Sequence, residues 1–325
     1  MSIDRRQFIG GAAAAALGAG AAVGAENGRG GKVGKSKSVN AKGAGLMSGR
    51  GNPIAISTYS FWRFKEGLKL PIEQCIEEAA EMGFDGVEIL HMQMESEKTS
   101  YLNKLKKTAL VNGVDLCGMS THQGFVSPDE EKRQRNIDHT IKCIELAYEL
   151  GIPCIRINTG TWGTSESFDE LMENRGIEEP LEGYTDEDAF PWVIGSIEEC
   201  LKVAEKRGVV LGLENHWGLG RTPEGVLRIV NAIDSEYLGV LTDTGNFLED
   251  PYDKIVKMAP QTVFMQAKTY FGGGLWYTLD LDYDRIAKIM KESGYKGYIS
   301  LEFEGQADYK EAIPKSLELL RGAFS

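Results

Sequence analysis

The sequence predicts an α/β protein, a single (β/α)8 TIM barrel, on three observations. Eight short runs of β-branched or apolar residues alternate with longer segments of helical periodicity from Pro53 onward. Several helical segments end in glycine just before the next strand, as at Gly83, Gly151 and Gly208, where a left-handed residue can close a helix. The length of 325 residues also fits one barrel. Eight such units favour a closed barrel over an open doubly wound sheet, which is the alternative.

The predicted strands are short and evenly distributed along the chain. They cover residues 54–57, 86–90, 116–121, 154–159, 209–215, 239–243, 263–268 and 298–304. Two helix starts are marked by a capping residue before a proline, at Ser127-Pro128 and Thr222-Pro223. A long polar insertion, residues 161–187, follows the fourth strand, and insertions of this length in compact domains are usually functional lids.

Composition narrows the classes of partner. The formal net charge of −12 opposes binding to nucleic acid or to an anionic membrane, since both need a basic surface. The cysteines are odd in number, scattered and without CxxC spacing, which is typical of small buried apolar residues rather than of a disulfide framework. They are Cys75, Cys117, Cys143, Cys154 and Cys200.

The N-terminal residues predict export. Residues 1–25 resemble a twin-arginine signal, with Asp4-Arg5-Arg6-Gln7-Phe8-Ile9, an Ala/Gly-rich apolar run and small residues before a predicted cut after Ala25. Residues 26–52 are rich in Gly, Lys and Ser and predict a flexible linker, so the folded domain is expected to span 53–325. The Tat translocase is therefore an expected partner and the periplasm the expected location, unless the arginine pair is a chance occurrence.

Polar residues follow the apolar runs of strands 5 to 8, at the carboxyl end of a barrel, where active sites lie. Alternation along these strands points Glu304 and His216 inward, together with the four residues named below. Several carboxylates cannot lie together in a buried barrel mouth unless a positive charge offsets their repulsion and their loss of solvation. A divalent cation supplies that charge. Oxygen ligands favour Mn²⁺ or Mg²⁺ over zinc. The expected ligands are Glu214, Asp243, Gln266 and Glu302. Ion pairing with Lys268 and Arg156 is the alternative.

Four motifs carry a resemblance to a known family. They are Leu213-Glu214-Asn215-His216, Asp243-Thr244-Gly245-Asn246, Gln266-Ala267-Lys268 and Leu301-Glu302-Phe303-Glu304. With them, residues 53–324 resemble the xylose isomerase-like sugar (phosphate) isomerase/epimerase superfamily. The resemblance implies one divalent metal, Mn²⁺ first and Mg²⁺, Co²⁺ or Zn²⁺ as alternatives, on the four ligands named above. Gln266 departs from the family pattern, since the epimerases carry histidine there.

The resemblance also implies a reaction. In epimerases of this kind a proton next to a carbonyl is removed and returned through an enediolate, and Glu214 and Glu302 would be the base and the acid. The same pair could serve a lyase acting on keto-sugars or 3-keto-glycosides. A non-catalytic periplasmic sugar-binding barrel is a third hypothesis. A DNA-repair endonuclease of the same superfamily is disfavoured, because four histidines are few for a cluster of metals.

Several further residues near strand ends are expected to contact a small-molecule carbohydrate substrate. They are His216, Lys268, Asn246, Glu88, His91, His122 and Arg156. An apolar wall for the sugar is predicted from Trp62, Trp162 and Trp217, whereas His139, inside a helical segment, is expected at the surface. Related barrels often pair through their helices, so a homo-oligomer is also expected.

Overall fold

Eight parallel strands close into a barrel in which β1 pairs with β8. The structure is a computed structural model that describes residues 51–325, and its strands follow one another in chain order around the barrel. They are β1 Ile54–Ser57, β2 Gly86–Leu90, β3 Asp115–Ser120, β4 Cys154–Ile157, β5 Val210–Glu214, β6 Leu238–Asp243, β7 Thr262–Thr269 and β8 Ile299–Phe303. The predicted barrel is confirmed, and the doubly wound alternative is wrong.

Helices surround the barrel and alternate with its strands. They are α1 Tyr59–Trp62, α2 Ile72–Met82, α3 Thr99–Asn112, α4 Glu130–Leu150, α5 Phe168–Glu173, α6 Asp186–Arg207, α7 Pro223–Ala232, α8 Tyr252–Met258, α9 Tyr283–Ser293 and α10 Tyr309–Ala323. Within residues 51–325, none of these helices is both long and apolar enough to cross a membrane. The predicted signal and all but the last two residues of the predicted linker lie outside the described residues. Asn52 already bonds to the barrel, through Phe324 O and Gly297 O.

Most element boundaries lie within two residues of the predicted ones. The strand predicted for 154–159 ends at Ile157, because the Asn158 side chain accepts a hydrogen bond from Gly160 N and turns the chain. Thr222 caps α7 as expected, with Pro223 at its first position. The start predicted at Ser127-Pro128 is wrong by two residues, since Asp129 caps α4 by accepting from Lys132 N.

Two apolar clusters hold the fold. The larger one packs the helices against the outer face of the strands, with Phe61, Phe125, Phe247 and Phe303 among its largest buried side chains. The smaller one consists of Ala55, Cys117, Cys154, Leu241 and Phe264. Phe264 precedes Gln266 by two residues on β7, so this second cluster fills the barrel interior one layer below Gln266. The five cysteines are buried and free, as predicted.

The insertion after β4 packs against aromatic residues from the loops that follow β5 and β7. Phe168 of α5 lies with its ring centroid 5.2 Å from that of Trp217 and 5.1 Å from that of Trp276. Both tryptophans follow the carboxyl ends of strands, so the insertion lies on the mouth side of the barrel. Trp217 therefore lies where an aromatic wall was predicted, and its contact with a sugar stays a prediction. Trp162 is instead a core residue that donates to Asp186, and Trp62 packs on Phe64.

Replacing Gly160 with alanine is expected to destabilise the mouth loops more than the same change at Gly151. Both glycines have a positive φ, +75° at Gly160 and +76° at Gly151. A Cβ at Gly160 would lie 2.4 Å from Gly124 Cα, whereas one at Gly151 would meet nothing within 4 Å. Gly151→Ala should cost about 1–2 kcal/mol from the left-handed backbone alone. Gly160→Ala should cost about 1–3 kcal/mol more, measured by urea unfolding. Equal losses in the two variants would contradict the close approach of the loops.

Candidate active site

Four carboxylates gather at the carboxyl ends of β5, β6 and β8. Glu214 ends β5, Asp243 ends β6, and Glu302 and Glu304 lie at the end of β8. All four are buried, Glu214 and Asp243 completely. Strand register explains the convergence, because Asp243 pairs with Gln266 and Lys268 pairs with Glu302 across β6, β7 and β8. The predicted inward direction of Glu302 and Glu304 is confirmed.

Lys268 lies among these carboxylates. Its Nζ is 2.8 Å from Glu302 Oε2, 2.8 Å from Glu304 Oε1 and 3.4 Å from Asp243 Oδ2. Burial alone would lower the pKa of Lys268, but the three carboxylates raise it well above its usual value. Lys268 is therefore a fixed positive charge, and the ion-pair alternative considered for the sequence describes part of the site.

Arg156 and Asn246 hold the carboxylate of Glu214 from two sides. Asn246 Nδ2 donates to Glu214 Oε1 at 3.0 Å, and Arg156 Nη1 lies 3.3 Å from Glu214 Oε2. Arg156 is itself fixed by a hydrogen bond of 2.6 Å to Thr121 O. Burial raises the pKa of Glu214 to about 8; Arg156 opposes that rise, and Asp243 adds to it.

Gln266 lies one layer deeper, with Glu88. Its Nε2 donates to Glu88 Oε1 at 2.8 Å and contacts Ser120 Oγ at 3.2 Å. Ser300 Oγ donates to Glu88 Oε2 at 2.6 Å. Glu88 is 1% exposed and bonded to these interior groups, so its predicted contact with substrate stays a prediction. Glu88 and Ser120 hold the amide nitrogen of Gln266 and so fix the orientation of the amide group. The amide oxygen, Gln266 Oε1, therefore points away from Glu88.

Three buried oxygens of the expected metal ligands have no hydrogen-bond donor. They are Glu214 Oε2, Asp243 Oδ2 and Gln266 Oε1. The neighbouring cations lie at 3.3 Å from Glu214 Oε2 and 3.4 Å from Asp243 Oδ2, without hydrogen-bond geometry. Buried polar atoms are rarely left without a partner, so each such atom calls for an explanation. Carboxylate and amide oxygens are the ligands that Mn²⁺ and Mg²⁺ prefer, so the donor set has the right chemistry. Glu214, Asp243 and Glu302 do not bring three oxygens within 4.8 Å of one another, so an ion held by all three would draw their side chains closer together.

The charge balance of the mouth also fits a divalent cation. Five buried carboxylates, Glu88 and the four above, share two cations that form ion pairs with them among the described residues, Arg156 and Lys268. Burial raises the pKa of Asp243 to about 7; Lys268 opposes that rise, and Glu302 adds to it. Without a further positive charge, some of these five carboxylates have to be protonated near neutral pH.

The four histidines occupy three different environments. His216 is half-buried beside Trp217, and burial, followed by Arg156, holds its pKa well below the usual value. His122 Nε2 lies 3.4 Å from Arg156 Nη2, so it adjoins the Glu214 side of the site. His91 bonds to Glu97 and packs on His139, outside the carboxylate group. The prediction of a surface position for His139 is corrected: the residue is half-buried, its ring packs on His91, and Cys143 lies beside it on the same side of α4.

Two tyrosines with buried hydroxyl groups near Glu304 were missed from the sequence. Tyr59 Oη donates to Glu304 Oε1 at 3.3 Å, and the hydroxyl of Tyr270 is buried without a partner. Burial, then Glu304, raises the pKa of both well above the usual value, so both are neutral donors. Tyr59 follows β1 by two residues, a position at the barrel mouth that could have indicated it.

A model of the family described as "Xylose isomerase-like TIM barrel" matches residues 76–323. The chain belongs to this family. Among curated relatives of the xylose isomerase-like barrel, a 3-oxo-isoapionate decarboxylase from Pectobacterium atrosepticum is 25% identical over 258 residues, covering 73% of this chain and 80% of that protein. An uncharacterised protein from Methanocaldococcus jannaschii is 25% identical over 277 residues, covering 75% of this chain and 84% of that protein.

Solved structures share the fold of this xylose isomerase-like barrel. The apo form of a 3-keto-D-glucoside 4-epimerase from E. coli has a TM-score of 0.66 at 18% identity, covering 83% of this chain and 99% of that one. A D-psicose 3-epimerase from Clostridium cellulolyticum, solved with D-tagatose, has a TM-score of 0.66 at 17% identity, covering 84% of this chain and 99% of that one. At this level of identity the likeness concerns the fold.

Proposed function

We propose that the chain is a sugar isomerase/epimerase that depends on a divalent metal and moves a proton next to a carbonyl. The observation that carries the proposal is the set of donor-free oxygens on Glu214, Asp243 and Gln266, beside the carboxylate of Glu302. These four residues would hold the ion, Mn²⁺ in the first place. The ion, when bound, stabilises the negative charge that develops on the substrate oxygens as the proton leaves. The epimerases with the same fold support a keto-sugar substrate.

Glu214 and Glu302 are the proposed pair of proton-transfer groups. Asn246 and Arg156 fix Glu214, and Lys268 fixes Glu302, so each carboxylate is held in one position from its own side of the mouth. The two groups differ in surroundings: a hydrogen-bonding amide and a guanidinium face Glu214, whereas an ammonium bonds directly to Glu302. One carboxylate removes a proton from the substrate carbon and the other returns one to the opposite face, which inverts that carbon.

Neighbouring residues would bind the sugar and limit water. His216 and His122 lie beside Arg156, and burial lowers the pKa of both, so they are neutral and can donate to or accept from hydroxyl groups. Phe168, Trp217 and Trp276 form an aromatic group on the mouth side that can cover a sugar ring. Lys268 is less suited to bind substrate, since its ammonium group already forms ion pairs with three carboxylates.

A lyase is the second candidate, and one relative favours it. The name of the 3-oxo-isoapionate decarboxylase describes the removal of a carboxyl group from a 3-oxo acid. This relative matches 73% of the present chain. The same site would serve if Glu214 or Glu302 acted alone and a leaving group departed. Export by the twin-arginine pathway, and hence a periplasmic keto-sugar or keto-glycoside as substrate, stays a prediction.

Solvent exchange tests the proposal and separates it from the lyase. In deuterated water with Mn²⁺, the protein is expected to place deuterium on the carbon next to the carbonyl of a ketohexose or a 3-keto-D-glucoside. Removal of the ion by a chelator should stop the exchange. Release of carbon dioxide, water or an aglycone would favour the lyase. Binding of sugar with no exchange in the presence of Mn²⁺ would contradict both and favour a sugar-binding barrel.

A further inference from the structure

His91, His139 and Cys143 form a second group of metal-binding residue types, apart from the mouth carboxylates. His91 directly follows β2, and His139 and Cys143 lie one turn apart on α4, so they face the same side of that helix. One donor atom from each of the three lies within 4.8 Å of the others. Within residues 51–325, no other three His, Cys, Asp or Glu side chains meet that distance.

The spacing of this group fits one tetrahedral ion. Cys143 Sγ lies 3.7 Å from His139 Nε2, and the ring centroids of His91 and His139 are 5.2 Å apart. Zinc bonds of about 2.3 Å to sulfur and about 2.0–2.1 Å to nitrogen, at tetrahedral angles, place a sulfur and a nitrogen roughly 3.6 Å apart. The same geometry places two imidazole centroids roughly 5 Å apart. The side chains therefore need little rearrangement to share an ion.

Each histidine of the group also has the outer partner that a metal-bound imidazole needs. His91 Nε2 lies 2.8 Å from Glu97 Oε1, and the His139 ring hydrogen-bonds to the backbone of His122. A ligating histidine usually binds the ion through one nitrogen and gives the other to a carboxylate or a carbonyl, which fixes the ring. These contacts leave one nitrogen of each ring for an ion.

Burial keeps the side chains of Cys143 and His139 in neutral forms when no ion is bound. Cys143 is completely buried, and burial raises the pKa of its thiol well above the usual value. Burial, followed by His91, lowers the pKa of His139, so its imidazole is neutral and can ligate. A bound cation would displace the thiol proton, and the neighbouring Glu97 carboxylate offsets part of the charge. His91 is 13% exposed, which gives an ion a route from solvent.

We propose that His91, His139 and Cys143 bind a zinc-type ion, with Glu97 orienting His91, and that this ion ties the end of β2 to α4. A thiolate and two imidazoles select borderline transition metals such as Zn²⁺ or Co²⁺ over Mn²⁺ or Mg²⁺. Three protein ligands leave a fourth position for water. This proposal does not depend on the proposed function of the carboxylate site at the barrel mouth, because the two sites share no ligand.

Cobalt absorption tests this site in the full chain. Metal-free protein titrated with Co²⁺ is expected to gain a sulfur-to-cobalt charge-transfer band that saturates at about one equivalent. The oxygen ligands of the mouth cannot produce that band. Cys143→Ala should lose it, whereas Cys75→Ala, at an equally buried cysteine on α2, should keep it. Absence of the band in the wild-type protein at saturating Co²⁺ overturns the proposal.

Two further variants keep the test decisive if Cys143→Ala fails to fold. Glu97→Gln, at a side chain that is 44% exposed, should weaken Co²⁺ binding about 10- to 100-fold, the usual cost of losing an orienting carboxylate. His91→Ala should abolish the band or weaken binding further. Unchanged affinity in both variants overturns the proposal, because the thiol would then bind without its histidine partners.

Discussion

Glu302→Gln is expected to reduce net conversion of substrate by roughly 10²- to 10⁴-fold while leaving the fold intact. Glutamine keeps the shape of the side chain but cannot accept a proton, and Lys268 keeps its bond to Glu304 at 2.8 Å. If two carboxylates act on opposite faces, Glu214 still removes the proton from one of the two epimers. That epimer should therefore continue to exchange its proton with solvent deuterium, without inversion. Glu214→Gln should show the reverse selectivity, with both variants assayed at saturating Mn²⁺ because each has lost one carboxylate ligand.

The control for this experiment is Glu318→Gln, at an exposed position on α10. It should leave conversion and exchange unchanged. Loss of exchange from both epimers in one variant, with exchange retained from both in the other, would indicate a single proton-transfer group and favour the lyase. Full activity in Glu302→Gln would contradict the assignment of Glu302.

Lys268→Met is expected to destabilise the protein by about 3–5 kcal/mol. Removing one partner of a buried ion pair leaves the other charge uncompensated, and here three carboxylates would lose the same ammonium. The free energy of unfolding should be measured by urea denaturation in the absence of metal. Mn²⁺ should then stabilise the variant more than the wild-type protein, because the ion supplies the missing positive charge.

Lys257→Met is the matched control. Lys257 also pairs with a glutamate, Nζ to Glu224 Oε1 at 2.7 Å, but its side chain is 55% exposed. Breaking that pair should cost about 0–1 kcal/mol. A similar small loss in Lys268→Met would mean that the mouth carboxylates are already protonated in the folded protein and do not need Lys268.

The barrel could be predicted because its signals are local. Alternating apolar runs, glycines at helix ends and the Thr222-Pro223 cap each depend on a few neighbouring residues, and each is present in the structure. The convergence of Glu214, Asp243 and Glu302 could also be predicted, since parallel strands of a closed barrel bring their carboxyl ends to one mouth.

What the sequence left open depends on side-chain direction and on contacts between distant segments. Glu88 and Lys268 both end in the barrel interior, but only the structure shows that Glu88 bonds to Gln266 and Ser300 while Lys268 reaches three carboxylates. His139 was expected at the surface because it lies inside a helical segment, and its side chain nevertheless packs on His91. Periodicity assigned a helix there without fixing which of its faces meets the loop after β2.

Mn²⁺ binding tests the central claim most directly, because this ion prefers oxygen ligands and avoids a thiolate site. The account predicts about one Mn²⁺ per chain for the wild-type protein, weakened binding in Glu214→Gln, which keeps an amide oxygen, and weakened or lost binding in Asp243→Asn. Glu318→Gln should bind as the wild type does. No binding of Mn²⁺ or Mg²⁺ by the wild-type protein, and no stabilisation on adding either ion, would contradict the claim. The mouth would then be an ion-pair network around Lys268 and Arg156, as expected of a sugar-binding barrel.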